Sequence, residues 1–178
     1  SECGLVQIAD QFDLTQLYGV NYGYRSGLNK SMVQHLQSIA HRLTKVANLL
    51  PGEICIDIGS SDGTMLAAMP TDTSRIGIDP SAEKFRSFYP NDIELIVDFF
   101  PSKQLESRLN GTKAKVITSV AMFYDLEDPL AFATEVRNLL SSDGVWHIEQ
   151  SYLGSMLSQK AYDTICHEHI EYYSLKQI

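Results

Sequence analysis

A short glycine-containing turn carries the residues best suited to binding a ligand. Residues 57–63, Asp-Ile-Gly-Ser-Ser-Asp-Gly, follow the apolar run Ile-Cys-Ile, and a later apolar run, residues 76–78, ends in Asp79. Glycine lets the backbone approach a ligand closely and adopt positive φ, and a carboxylate can accept two hydrogen bonds from a ribose diol. This arrangement predicts a nucleotide-binding site. Its predicted binding residues are Asp57, Gly59, Ser60, Asp62, Gly63 and Asp79.

The spacing of this turn distinguishes two classes of ligand. A dinucleotide fold requires G-x-G-x-x-G, so that a pyrophosphate lies at the helix N-terminus, whereas the turn here is G-S-S-D-G. The carboxylate of Asp62 would repel a pyrophosphate but tolerate a cationic ligand. S-adenosylmethionine (SAM) is such a ligand, since it carries a sulfonium and an ammonium group and no phosphate. The string D-I-G-x-x-D-G resembles the first motif of class I SAM-dependent methyltransferases, so SAM is the predicted cofactor. A nicotinamide-dependent oxidoreductase is the alternative, which the missing third glycine disfavours.

Two further polar residues follow predicted strands. Ligands of open α/β sheets bind beyond the carboxyl ends of the strands. Asp98 follows the third predicted strand, where it either accepts a hydrogen bond from the adenine amino group or is a solvated turn residue. Ser119 lies at the end of the fourth strand, where a methyl acceptor would approach. Both are predicted to belong to the cofactor site.

A second cluster of reactive side chains lies near the C-terminus, at Cys166-His167-Glu168-His169. Two histidines beside a glutamate could bind a metal, but two histidines two residues apart rarely complete a ligand set, and no H-E-x-x-H motif is present. Because histidine titrates near neutrality, the cluster is better suited to removing a proton. The alternative is a surface turn with solvated histidines. No metal site is predicted.

The elements that must position these residues alternate between strand and helix. Strands are predicted at 54–58, 75–79, 94–97, 115–120 and 145–150. Helices are predicted at 31–50, 64–69, 81–88, 103–110 and 129–140. The alternation predicts an α/β fold with a doubly wound, mostly parallel sheet and helices on both faces, the Rossmann-like fold of class I methyltransferases.

Composition limits the possible partners and compartments. The 178 residues are 44% hydrophobic and 20% charged, as expected for one globular domain. A net charge of −8, a pI near 5 and the lack of a Lys/Arg stripe argue against a nucleic-acid partner. Three scattered cysteines do not form a disulfide framework, which favours the cytoplasm. No apolar run is long enough for a membrane span and no signal peptide is visible.

Four sequence strings together resemble the SAM-dependent sugar C-methyltransferases, which act on nucleotide-linked 4-keto deoxysugars. The strings lie at residues 22–26, 57–63, 149–153 and 162–169. The resemblance implies that a base removes the proton beside a ketone and that the enolate attacks the SAM methyl group. It implies that His169 is the base, with His167 as the alternative, and that Glu168 orients the base or the substrate. Tyr24 or Tyr22 would reach over the acceptor pocket. A tyrosine precedes H-E-H in some members, where this chain has Cys166.

The resemblance also implies a domain organisation. Residues 1–30 would be the remnant of an N-terminal zinc module followed by a tyrosine-rich lid, because Cys3-Gly4-Leu5 resembles the end of such a module. Residues 31–160 would form the SAM-binding domain, and residues 161–178 would begin a truncated C-terminal domain. The chain is thus expected to be a fragment whose partners are a small-molecule substrate and the rest of its own polypeptide. An O- or N-methyltransferase of another small metabolite, or a SAM-binding fragment without turnover, remains the alternative.

Overall fold

The computed structural model of the chain describes residues 3–9, 13–19 and 22–178. Its strands are β1 Val6–Gln7, β2 Ile54–Ile58, β3 Ser74–Ile78, β4 Ile93–Ile96, β5 Ala114–Val120, β6 Leu140–Glu149 and β7 Glu171–Tyr172. Its α-helices are α1 Leu14–Leu17, α2 Lys30–Val46, α3 Thr64–Ala67, α4 Lys103–Leu109, α5 Pro129–Leu139 and α6 Leu153–Gln159. Short 3₁₀ turns span Ser26–Leu28, Ala82–Phe88 and Phe123–Asp125.

Five of these strands form one parallel sheet in the order β4-β3-β2-β5-β6. Strand β2 is buried at every position, as expected when helices cover both faces of a parallel sheet. On one face, Ile54, Ile56 and Ile58 pack in the same cluster as Leu105 of α4 and Val136 of α5. On the other face, Cys55 and Val116 pack with residues of α2 and α3. The predicted doubly wound α/β sheet is confirmed.

The sheet order fixes where a ligand can bind. The chain passes from β2 to β3 on one side and from β5 to β6 on the other, so β2 and β5 are neighbours whose onward connections diverge. Such a switch point leaves a crevice beyond the carboxyl ends of the two strands. The turn after β2 and the loop after β5 both face this crevice.

Several element boundaries differ from the predictions for local reasons. Helix α2 ends at Val46 rather than at residue 50, because Asn48 adopts a left-handed φ of 47°. Strand β6 begins at Leu140, five residues before the predicted start. Leu140 pairs with Ala114 and Val145 pairs with Val116, so the register with β5 shifts between these two pairs and residues 141–144 are accommodated there. Residues 82–88 form a 3₁₀ helix.

Helices α1 and α6 and strands β1 and β7 were not predicted. Helix α6 is mostly exposed and too polar for a clear helical periodicity. Strands β1 and β7 pair antiparallel, Val6 with Tyr172, and join the two ends of the described chain. The helices in the described ranges include none with the length and apolar character that a membrane crossing requires.

The turn after β2 yields a stability prediction. Gly63 has a φ of +76°, and a Cβ there would lie 2.8 Å from the Tyr89 ring. Gly111 has a φ of +82° with nothing within 4 Å of a Cβ. Gly63→Ala should therefore lose about 2–4 kcal/mol of unfolding free energy, from left-handed strain plus overpacking. Gly111→Ala should lose only the strain, about 1–2 kcal/mol. Urea denaturation measures both, and equal losses would contradict the Tyr89 contact.

Candidate functional site

The candidate site is a cavity of about 430 Å³ beyond the carboxyl ends of the central strands. Its walls come from the turn after β2, the loops after β3 and β5, the N-terminal tyrosines and the His-Glu-His segment. The sheet brings together segments that are far apart in sequence. One wall contains Asp57, Gly59, Ser60 and Asp79, and we call it the turn wall. Another contains Glu168 and His169, and we call it the base wall because it carries the predicted base.

Asp79 holds the turn wall in place. Its Oδ2 accepts a hydrogen bond from the Ser61 N–H at 2.8 Å, and its Oδ1 accepts two from the N–H and hydroxyl of Ser81, both at 2.7 Å. A carboxylate offers about four lone-pair positions, so one position, on Oδ2, remains for the ribose diol. The side chain lines the cavity, as the predicted ribose role requires.

Asp57 lies deeper in the same wall. It is 4% exposed, and its Oδ1 accepts a hydrogen bond from the Thr118 hydroxyl at 2.6 Å. Burial raises the pKa of Asp57 to about 7, the Thr118 hydrogen bond opposes the rise, and the negative charge of Asp79 adds to it. A cationic ligand near these two carboxylates would relieve their repulsion. Gly59 and Ser60 line the cavity beside them.

Asp62 was predicted to bind the cofactor but lies outside the cavity lining. Its carboxylate does not line the cavity but faces the N-terminal segment, where it lies 3.4 Å from the Arg25 guanidinium and accepts the Gly27 N–H at 3.0 Å. Its charge is thus compensated within the protein, and it fastens the segment that carries the tyrosines to the turn. Gly63 also lies outside the cavity lining, against Tyr89.

The two strand-end residues differ in their placement. Asp98 lines the cavity, but its carboxylate already accepts hydrogen bonds from the Ser102 hydroxyl at 2.6 Å and the Phe99 N–H at 2.8 Å. Ser119 is fully buried and does not line the cavity, because its hydroxyl accepts the Trp146 indole N–H at 3.2 Å. The structure therefore brings Asp98 to the site and leaves Ser119 in the packing between β5 and β6.

The base wall is built around His169. Its Nδ1 lies 2.7 Å from the Thr164 carbonyl oxygen, and its ring lies 4.1 Å from the Tyr124 ring, centroid to centroid. The Ile170 N–H donates to the Tyr124 carbonyl at 3.1 Å, which joins this segment to the loop after β5. His169 and Glu168 line the cavity, whereas His167 is exposed and does not.

The tyrosines of the N-terminal segment complete the base wall. Tyr22 and Tyr24 line the cavity, as the sequence resemblance implied. Burial and the nearby negative charge of Glu168 raise the pKa of Tyr22 to about 12. Tyr18 and Asp125 line the same wall and were missed by the sequence analysis. Asp125 could have been found from the sequence, because it is an acid five residues beyond the end of the fourth predicted strand, at the edge where ligands bind.

Three donor groups on the base wall could also hold a metal ion. Ligand atoms of Cys166, Glu168 and His169 lie within 4.8 Å of one another. Thiolate, carboxylate and imidazole all bind zinc, but a closed structural site needs a fourth protein ligand. A nitrogen that coordinates a metal has no lone pair left to accept a proton. The two roles of His169 therefore exclude each other and can be separated with a chelator.

Comparison with known proteins gives a family and one curated relative. The family model for the methyltransferase domain matches residues 30–178. The C-methyltransferase NovU of Streptomyces niveus is 25% identical over 175 residues, which are 97% of this chain and 41% of NovU. The chain thus spans about two fifths of the length of that relative.

Solved structures agree on the fold. The plantazolicin methyltransferase BpumL, in complex with S-adenosylhomocysteine (SAH) and a pentazolic desmethylPZN analog, is 17% identical with a TM-score of 0.57, covering 80% of this chain and 52% of BpumL. The YcgJ protein from Bacillus subtilis is 17% identical with a TM-score of 0.62, covering 81% of this chain and 64% of YcgJ. The predicted class I methyltransferase architecture is confirmed.

The turn wall yields a binding prediction. Asp79→Asn should weaken SAH binding at least tenfold, because hydrogen bonds to a charged group contribute about 1.5–3 kcal/mol each. Asp72→Asn is the matched control, since Asp72 is exposed and outside the cavity lining, and it should leave binding unchanged. Isothermal calorimetry measures both affinities, and an unchanged affinity for Asp79→Asn would contradict the ribose assignment.

Proposed function

The chain belongs to the family of methyltransferase domains, and on that premise we propose that its protein methylates a carbon atom of a nucleotide-linked keto sugar. Membership in the family confirms the predicted class, a SAM-dependent methyltransferase, and with it the predicted cofactor. Because the chain spans about two fifths of NovU, the substrate and the complete reaction are proposals for the whole protein.

The turn wall is the proposed cofactor site. Asp79 would hold the ribose hydroxyls, and the backbone at Gly59 allows close approach because its φ is +78°. Asp57 would favour the positive charge of the ligand, and Asp98 is a candidate partner for the adenine. When bound, SAM supplies the electrophilic methyl group. Asp62 and Gly63 support the turn from outside the cavity. The proposed cofactor site does not include Ser119, because it lies outside the cavity lining and its hydroxyl accepts from Trp146.

One observation carries the assignment of the reaction. The Thr164 carbonyl oxygen can only accept a hydrogen bond, so Nδ1 of His169 carries the proton. In the neutral imidazole, Nε2 then has the free lone pair, which is the state that a general base needs. His169 would remove the proton beside the substrate ketone and leave an enolate carbon as the nucleophile. The C-methyltransferase activity in the name of NovU supports transfer to carbon.

The other side chains of the His-Glu-His and tyrosine segments have secondary roles in the proposal. Glu168 would orient the substrate or the imidazole, and Tyr22 or Tyr24 would cover the acceptor. His167 is disfavoured as the base because it is exposed and outside the cavity lining. The predicted cytoplasmic location, the three-part domain organisation and the contribution of the rest of the polypeptide remain predictions.

The base assignment yields a catalytic prediction for the full-length protein. His169→Gln should slow deuterium exchange at the carbon beside the ketone by about a hundred- to ten-thousand-fold, the usual contribution of a general base. Its SAH affinity should stay unchanged, because His169 belongs to the base wall and Asp79 to the turn wall. NMR with a panel of nucleotide-linked keto sugars, without methyl transfer, measures the exchange.

Two controls define this experiment. His167→Gln should exchange at the wild-type rate, and a chelator should leave wild-type exchange unchanged if His169 acts as a base rather than as a metal ligand. Exchange by His169→Gln at the wild-type rate would transfer the role to another residue. Methyl transfer to oxygen or nitrogen of the acceptor, without any exchange at carbon, would replace the proposal with an O- or N-methyltransferase.

A further inference from the structure

Asp125 is a buried carboxyl group on the base wall that the proposed reaction has not yet used. It ends the 3₁₀ turn Phe123–Asp125 after β5, is 6% exposed and lines the cavity. Its Oδ2 accepts the Tyr18 hydroxyl at 2.7 Å. Its Oδ1 is buried and has no hydrogen-bond partner in the described part of the chain. A buried carboxyl oxygen without a partner is costly, which indicates that a ligand supplies one.

The surroundings of Asp125 favour its neutral form. Among the described residues, the groups that interact electrostatically with Asp125 include Glu168 and the phenols of Tyr18, Tyr22, Tyr124 and Tyr172, and the imidazole of His169 lies on the same wall. Burial raises the pKa of Asp125 to about 8, the Tyr18 hydrogen bond opposes the rise, and Glu168 adds to it. With Tyr18 donating to Oδ2, the proton of the neutral acid belongs on Oδ1. That oxygen is then a hydrogen-bond donor rather than an unpaired acceptor.

The fold holds this donor beside the proposed base. The hydrogen bond from the Ile170 N–H to the Tyr124 carbonyl ties the His169 segment to the loop of Asp125. The Tyr124 ring contacts the His169 ring on the same wall. A ketone that presents its neighbouring C–H to His169 would therefore meet the same wall that Asp125 lines.

We propose that the Asp125 carboxyl, positioned by Tyr18, donates a hydrogen bond from Oδ1 to the substrate ketone oxygen and stabilises the enolate. This inference rests on the proposed function. Nε2 of His169 forms a bond to the proton as the C–H bond breaks. The C–H electron pair becomes the new C=C bond, and the carbonyl π pair moves onto oxygen. The Asp125 proton stays on Asp125, which acts through a hydrogen bond alone. An acid kept neutral by an apolar site is well suited to this task, because it needs no reorganisation as the charge develops.

Two substitutions separate this role from packing. Asp125→Asn keeps the shape of the side chain, and with its carbonyl oxygen accepting from Tyr18 it has an N–H donor at the position of Oδ1. Asp125→Ala removes the donor. In the full-length protein, Asp125→Ala should slow deuterium exchange about a hundred- to a thousand-fold, as for the loss of one oxyanion donor. Asp125→Asn should stay within about tenfold of wild type. SAH affinity should be unchanged in both.

The pH profile provides a readout that packing alone does not move. The donor must be protonated, so wild-type exchange should be present below the pKa of Asp125, about 8, and fall above it. Asp125→Asn should lose this alkaline fall, because an amide does not ionise. Equal losses in the two variants, or an Asp125→Asn profile that keeps the alkaline fall, would overturn the inference. If Asp125→Ala does not fold, the Asp125→Asn profile decides.

Infrared spectroscopy can test the protonation state of Asp125 directly, without a substrate. The difference between wild type and Asp125→Asn should show a protonated carboxyl C=O band at pH 7 that disappears as the pH passes about 8. A carboxylate already ionised at pH 6 would overturn the inference whatever the reaction is. Failure of wild type to exchange any keto sugar, with the band present, would instead count against the proposed function and the substrate contact while leaving the neutral acid in place.

Discussion

The hydrogen bonds that Asp79 accepts from Ser61 and Ser81 hold the two loops that the rest of the site depends on. They fix the turn after β2 to the loop after β3, at the point where parallel strands leave backbone groups without partners. Once the turn is fixed, Ser61 can donate its hydroxyl to the Tyr24 carbonyl, and Asp62 can bind Arg25. The lid tyrosines are therefore positioned by the same turn that would bind the cofactor.

The second half of the cavity depends on contacts between segments far apart in sequence. Tyr124 contacts His169 through its ring and Ile170 through its carbonyl, so the loop after β5 holds the proposed base. The pairing of β1 with β7 adds an N-terminal strand to the same C-terminal region. This arrangement puts the proposed base and the proposed ribose ligand on different segments of the chain. Changes at His169 and at Asp79 should therefore have different effects, one on turnover and one on affinity.

The sequence predicted the fold and the cofactor because both depend on local patterns. The central strands are continuous apolar runs that can be recognised in the sequence. Gly59 and Asp79 come directly after two of these runs, so strand geometry alone puts them at the carboxyl edge of the sheet. The functions of Asp62 and Ser119 could not be predicted, because each depends on a partner brought in by tertiary structure, Arg25 in one case and Trp146 in the other. Asp125 was missed for the same reason, since Tyr18 and burial define its chemistry.

A crystal structure of the full-length protein with SAH would test most directly whether one cavity holds the cofactor and the base together. We expect the ribose hydroxyls on the Asp79 carboxylate and the sulfur directed toward the wall that carries His169. SAH bound with its ribose on another acid, or with its sulfur directed away from His169, would contradict this arrangement of the site.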